Sequence, residues 1–171
     1  TFQIQTTNIY KRQTLSGEFL LVNRHLVKEL SKLNLKVSLY SQADQINIST
    51  DILLVDSFGE VSKFFNISKY VFLGKSLIKS LLMDSGQNPI EAARLGCKIF
   101  HGPNVSNFVE IYEYLKTLGI TKEVKNYEEL SQSIVEEFKE DKAKDDMIAS
   151  KIENYGQNIL NNVIVELKKY I

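Results

Sequence analysis

One cysteine, two histidines and no net charge set the first limits on this chain. Cys97 has no second cysteine to pair with, so an internal disulfide and a cysteine-based zinc site are excluded, and a reducing compartment is expected. His25 and His101 are too few for a histidine-rich metal centre. Lys and Arg total 21 and Asp and Glu total 21. That balance argues against a polyanion-binding surface and against nucleic acid as a partner, while leaving room for one local phosphate site. No apolar run approaches the ~20 residues of a membrane span. No internal repeat, low-complexity tract or signal peptide is evident, and because the chain opens on Thr1 it is expected to be a fragment. Asn-x-Ser triplets at Asn47, Asn66 and Asn104 read as chance in an asparagine-rich chain.

What is present is a chain of 171 residues with the apolar and charged fractions of a globular domain. Compact apolar runs at Phe19–Val22, Ile52–Val55 and Tyr70–Leu73 suit buried parallel strands. Leu35–Tyr40 alternates, and Cys97–Phe100 and Thr121–Val124 are short strands. Between them, helical spacing is carried by Leu26, Val27, Leu30 and Leu33, by Val61, Phe64 and Phe65, by Val109, Tyr112 and Leu115, and across Tyr127–Phe138. Asn34 and Gly119 stop two of these helices. Residues 139–146 are a charged connection, and Met147–Tyr170 is a long amphipathic helix. Residues 1–18 are polar and receive no assignment. Strands alternating with helices imply an α/β fold with a parallel sheet and right-handed crossovers. In such sheets a ligand sits beyond the carboxyl ends of the strands. That edge collects Arg24, Ser57–Glu60, Gly74–Ser76, Asn88–Glu91 and Gly102–Asn107.

The stretch 84–110 organises that edge. Asn88, Pro89 and Glu91 fit the cap, first and third positions of a helix that stops at Gly96. After the strand at 97–100, His101-Gly102-Pro103 is a turn, and Asn107 with Glu110 repeats the cap-plus-glutamate spacing. Helix starts beside strand ends present free N–H groups and partial positive charge, which suit a phosphate; each cap alone is also ordinary structure.

Single residues keep two readings. Gly74-Lys75-Ser76 either lets the backbone approach a ligand or is a plain strand-end turn, and it is not a Walker A loop. Arg24 suits a phosphate or a surface ion pair. Glu91, Glu60 and Glu110 suit a ribose diol or their own capping boxes. His101 has no orienting partner in sequence, and Cys97 reads as core. No nucleophile–base pair stands out, so hydrolysis is poorly supported.

Taken as an ordered set, five segments resemble the C-terminal half of the 3-deoxy-D-manno-octulosonic acid (Kdo) transferases. They are Arg24-His25; Asp56-x-x-Gly59-Glu60; Phe72-Leu73-Gly74-x-Ser76; Gly86-x-Asn88-Pro89-x-Glu91-Ala92-Ala93; and Gly102-Pro103-x-x-x-Asn107-Phe108-x-Glu110-Ile111. The resemblance covers about residues 20–138, and the terminal helix fits it. It implies a Rossmann-like parallel sheet flanked by helices, the donor half of a two-domain GT-B glycosyltransferase, with residues 1–171 as one donor-binding domain. The implied reaction is transfer of Kdo from CMP-Kdo to the lipid A precursor in lipopolysaccharide biosynthesis, without metal or cofactor. It would take place at the cytoplasmic face of the bacterial inner membrane.

By that likeness the donor is held by Arg24, Gly59, Glu60, Gly74, Ser76, Asn88, Glu91, Gly102, Pro103, Asn107 and Glu110. The catalytic base, the acceptor surface and the membrane attachment belong to an N-terminal half that this sequence does not contain, so the chain alone is expected to be inactive. Four positions depart from the family pattern: Asn23 stands for a usual proline, Lys75 and Ser85 for glycines and Gln87 for a histidine. The alternatives are a GT-B donor domain for a UDP-sugar and a diverged, non-catalytic interaction module.

Overall fold

The structure is a computed structural model that describes residues 2–5, 27–42, 49–55, 59, 61–77, 86–140 and 147–170. The strand expected at 19–22, the Arg24-His25 corner, Ser57, Glu60, residues 78–85 and residues 141–146 lie outside these. The chain divides into two compact units, one comprising Thr1–Thr7 with Ser62–Ile171 and the other Asn8–Val61.

The smaller unit contains a two-stranded parallel pair, β2 (Val37–Leu39) and β3 (Ile52–Leu54), in the register Val37↔Ile52. Both fall inside the apolar runs read from the sequence. Ahead of β2, residues 27–31 are helical, and Asn34 ends that segment at φ 58°. Asparagine tolerates this left-handed conformation better than most residues.

The larger unit is built on a four-stranded parallel sheet in the order β1–β4–β5–β6. Its strands are β1 (Phe2–Gln5), β4 (Tyr70–Leu73), β5 (Lys98–His101) and β6 (Thr121–Glu123). β4 lies between β1 and β5, with Phe2↔Tyr70 on one side and Tyr70↔Lys98 on the other. All four residues of β4 are buried, as expected of an interior parallel strand covered on both faces. β1 is a correction: the N-terminal stretch left unassigned from sequence supplies a sheet strand.

Period-two alternation sends Tyr70, Phe72 and Phe100 to one face. There they form a core with Val124 and Leu130, against which Leu77 and Ile134 pack. Helix α4 (Tyr127–Glu140) supplies Leu130 and Ile134 and also takes a hydrogen bond at Glu137 O from Tyr70 Oη, 2.8 Å. Fully burying a ring the size of Phe100 stabilises by about 3 kcal/mol. On the opposite face Val71, Leu73 and Ile99 are all but inaccessible, and helix α3 (Val109–Thr117) lays Tyr112 against His101, with ring centroids 4.3 Å apart.

The short helix α2 (Ile90–Arg94) stops as read, at Gly96. Gly96 has φ 72°, and Cys97 N–H reaches back to Ala92 O at 3.0 Å. α3 ends in the same way at Gly119, with Ile120 N–H on Leu115 O at 3.1 Å. Helix α1 (Val61–Ile67) precedes β4, and the buried Cys97 thiol lies 3.2 Å from the carbonyls of Phe65 and Ser68, in keeping with its core reading. The long terminal helix α5 (Met147–Leu167) docks through its first half only. Ile148 and Ile152 are buried, Tyr155 stacks on Tyr114 at 3.9 Å, and Ile159, Val163 and Leu167 are exposed.

Candidate functional site

Three chain segments meet where β4 and β5 end. The residue that joins two of them is Ser76, which is fully buried. Its hydroxyl donates to Leu73 O at 2.7 Å and accepts from Gly102 N–H at 2.8 Å. Its carbonyl accepts from Asn104 N–H at 2.9 Å. The two loops approach so closely that a Cβ on Gly102 would lie 2.3 Å from Ser76 O. Gly102 is therefore required by a backbone-on-backbone contact, and only hydrogen fits there. The third segment joins through Gly86, with φ 73°, where a Cβ would lie 3.0 Å from Val105 Cα. Tyr112 Oη fixes the same segment by donating to Gln87 O at 2.9 Å.

His101 sits beneath this junction. Its Nδ1 lies 2.8 Å from Gly102 O, so the neutral ring donates there, and burial lowers its pKa below the ordinary 6.5. The hydrogen bond to Gly102 and the charges of Glu123 and Glu113 pull the other way, while Lys116 adds to the lowering. Burial likewise pushes the Tyr112 phenol well above its usual range, so it remains a neutral donor.

The glutamate-bearing helix starts differ from each other. At α2 the expected cap is present: Asn88 Oδ1 accepts from Ile90 N–H at 3.0 Å, and buried Pro89 already has helical dihedrals, φ −85° and ψ −8°. Glu91 is exposed and does not close a capping box; its carboxylate instead accepts a hydrogen bond from Ser62 Oγ on α1. At α3 the expected cap is corrected. Asn107 lies inside a 3-10 turn, Ser106–Phe108, which runs straight into the helix, and no side chain caps the start. Phe108 N–H bonds Val105 O at 2.8 Å, so the 3-10 turn rather than a capping side chain leads the backbone into the helix. Glu110 is exposed in the first turn, where a negative charge suits the helix dipole.

Of the eleven candidate residues, Gly74, Ser76, Asn88, Glu91, Gly102, Pro103, Asn107 and Glu110 lie on the larger unit, on the segments that follow β4 and β5. Gly74 and Gly102 are buried, while Asn88, Glu91, Pro103, Asn107 and Glu110 are exposed. Gly59, with φ 81°, belongs to the smaller unit, and Arg24 and Glu60 lie outside the described residues. Sequence reasoning missed Ser62 and Tyr112. Nothing local marks Ser62, whereas Tyr112 offered a signal: a tyrosine on a buried helix face needs a partner for its hydroxyl. It also missed Asn104, whose Nδ2 is buried with no hydrogen-bond partner among the described residues. No group of three or more His, Cys, Asp or Glu among the described residues could hold a metal ion, and no helix among them is long and apolar enough to cross a membrane.

The strand-end loops of this parallel α/β sheet are locked to one another with exposed polar groups beyond them, at the edge where sheets of this kind take their ligands. The fold matches that of a solved domain. The crystal structure of the C-terminal CMP-Kdo binding domain of WaaA from Acinetobacter baumannii superposes with a TM-score of 0.65. That match covers 75% of this chain and 66% of the other, at 23% identity. In sequence the chain is 30% identical over 126 residues to the 3-deoxy-D-manno-octulosonic acid transferase of Rickettsia felis, a match covering 70% of this chain and 26% of that protein. The corresponding enzyme of Aquifex aeolicus is 26% identical over 132 residues, covering 74% and 35%. No protein-family model matches the chain. By sequence, then, the chain is a relative of the Kdo transferases, and it spans about a quarter to a third of the length of these two relatives.

Proposed function

We propose that this chain is the donor-binding domain of a Kdo transferase, holding CMP-Kdo for transfer of Kdo to the lipid A precursor in lipopolysaccharide biosynthesis. The observation that carries the proposal is the Ser76–Gly102 junction, which fixes the ends of β4 and β5 beside each other, with Asn88, Glu91, Asn107 and Glu110 on the segments beyond them. The kinship in sequence supplies the identity of the donor.

In the reaction, an acceptor sugar hydroxyl displaces CMP from Kdo. The base that takes the hydroxyl proton comes from the N-terminal half of the whole enzyme. This domain binds and orients the donor and stabilises charge on the departing phosphate through helix N-termini and Arg24. Glu91 accepts from a nucleotide hydroxyl, with Ser62 fixing its carboxylate. Arg24, Gly59 and Glu60 complete the donor contacts. Residues 1–171 act as one donor-binding domain without metal or cofactor, and the whole enzyme works in the bacterial cytoplasm at the inner membrane surface. The isolated chain does not turn over.

Calorimetric titration of the chain with CMP, UMP and UDP, repeated on Glu91→Ala, tests this. CMP is expected to bind with preference over UMP and UDP, and Glu91→Ala to weaken it at least about tenfold, the loss of a hydrogen bond to a charged group. Preference for UDP would replace the donor with a UDP-sugar. A chain that binds no nucleotide and forms a stable oligomer would be an interaction module instead.

A further inference from the structure

Glu91 is an exposed carboxylate on a helix of five residues, and that helix does not orient it, because no capping box closes. Among the described residues it has no ion-pair partner either. A glutamate left free turns about three side-chain bonds and loses that freedom when it binds a ligand. Here the orientation comes from another helix. Ser62, half-buried at the second position of α1, donates its hydroxyl hydrogen to Glu91 Oε1 across 29 positions of sequence. A carboxylate only accepts, so the serine is the donor. Oε2 has no hydrogen bond among the described residues, which leaves one acceptor of a fixed carboxylate open.

The two helices are held in register by the core. α1 is anchored by buried Phe64 and Phe65 and by the Cys97 thiol, 3.2 Å from Phe65 O and from Ser68 O. α2 is anchored by Ala92 and Ala93, neither of which is accessible, and by the bond from Cys97 N–H to Ala92 O at 3.0 Å. Cys97 therefore ties both helices to one point just ahead of β5, and buried contacts rather than exposed side chains set Ser62 against Glu91. An acceptor held still with one oxygen open is suited to read a hydroxyl, since an analogue lacking that hydroxyl forfeits a bond to a charged group. We infer that Ser62 is a positioning residue that sets the Glu91 carboxylate for a ribose hydroxyl, so that the pair selects a ribonucleotide over its deoxy analogue. This rests on the donor-binding reading above, in which Glu91 accepts from a nucleotide hydroxyl.

The test is calorimetric titration of the full chain with CMP, 2′-deoxy-CMP and 3′-deoxy-CMP. It compares the native protein with Ser62→Ala, Ser62→Thr, Glu91→Ala and the double variant Ser62→Ala with Glu91→Ala. The native chain is expected to bind CMP about tenfold more tightly than one of the two deoxy analogues, the loss of a hydrogen bond to a charged group. Ser62→Ala should weaken CMP about three- to tenfold, because the glutamate must now be ordered on binding. The same variant should hold that deoxy analogue within about twofold of the native affinity. Ser62→Thr keeps the hydroxyl and should restore CMP binding. Once Glu91 is alanine, Ser62→Ala should change CMP affinity by less than about twofold. Native affinities for CMP and both analogues that agree within about twofold would overturn the inference while leaving the donor reading intact. So would unchanged CMP affinity in Ser62→Ala, equal losses for CMP and the analogue, no rescue by Ser62→Thr, or a Ser62→Ala loss that persists without Glu91. A native chain that binds none of the three nucleotides would overturn the donor reading and this inference with it.

Discussion

Gly102→Ala is the substitution whose effect the structure specifies most closely. The added Cβ would lie 2.3 Å from Ser76 O, 2.5 Å from Ser76 C and 2.7 Å from Leu77 N. All three are backbone atoms, so no side chain can swing aside. The loops must separate by about 1 Å to restore contact distance, and overpacking of this kind costs about 1–3 kcal/mol. Separation also stretches the bond from Gly102 N–H to Ser76 Oγ and leaves a buried donor short of its acceptor, adding about 1 kcal/mol or more. The sum is about 3 kcal/mol, a large share of the total stability of an ordinary domain. It corresponds to a melting temperature lower by roughly 6–12 °C.

Ser76→Ala removes both hydroxyl bonds without adding bulk and should cost about 2 kcal/mol. The two substitutions share one hydrogen bond, that of Gly102 N–H to Ser76 Oγ, so the double variant should fall short of the sum by about 1 kcal/mol. Urea denaturation of the three variants followed by far-ultraviolet circular dichroism measures all of this. If Gly102→Ala stays within about 0.5 kcal/mol of the native protein, the surface-substitution range, then the loops have room and the junction is not a fixed point. Additivity in the double variant would refute the shared bond.

Two further outcomes are expected. His101 carries a pKa lowered by burial, so the folded state binds fewer protons than the unfolded one as pH falls below 6.5. Its contribution to stability is complete above that value and is lost as the pH drops through the folded pKa, so urea midpoints should fall across that window, and His101→Gln should flatten the dependence. On the terminal helix, Ile152→Ala should cost about 2–4 kcal/mol in thermal or urea melts, because Ile152 is 5% exposed against the domain. Val163→Ala, on the same stripe but 49% exposed, should stay within about 0.5 kcal/mol.

The contrast between Asn88 and Asn107 shows how far the sequence could be read. Both asparagines precede a glutamate by three residues and both read as helix caps. Only Asn88 caps: Pro89 fixes φ at the helix entrance, and Asn88 Oδ1 takes the Ile90 N–H from just outside it. Asn107 has no such neighbour. Its segment leaves Gly102 already tied to Ser76, and the chain reaches α3 through a 3-10 turn that absorbs the asparagine. A local pattern decides a cap only where nothing distant has fixed the backbone first.

The same division runs through the fold. β3, β4 and β5 were legible because strands of a parallel sheet are largely apolar in themselves, and Gly96 and Gly119 were legible because a helix end needs φ > 0. β1 was not, since four residues carry little pattern and their meaning comes from pairing with Tyr70–Leu73 far along the chain. The clustering of glycine and polar segments at the strand ends followed from topology alone. The partners that hold that edge did not. Ser62 for Glu91, Tyr112 for Gln87 and Ser76 for Gly102 are each defined by a contact between residues more than twenty positions apart, and such contacts exist only once the sheet has formed. The candidate site residues announce themselves by type, and those that hold them in place do so only by position.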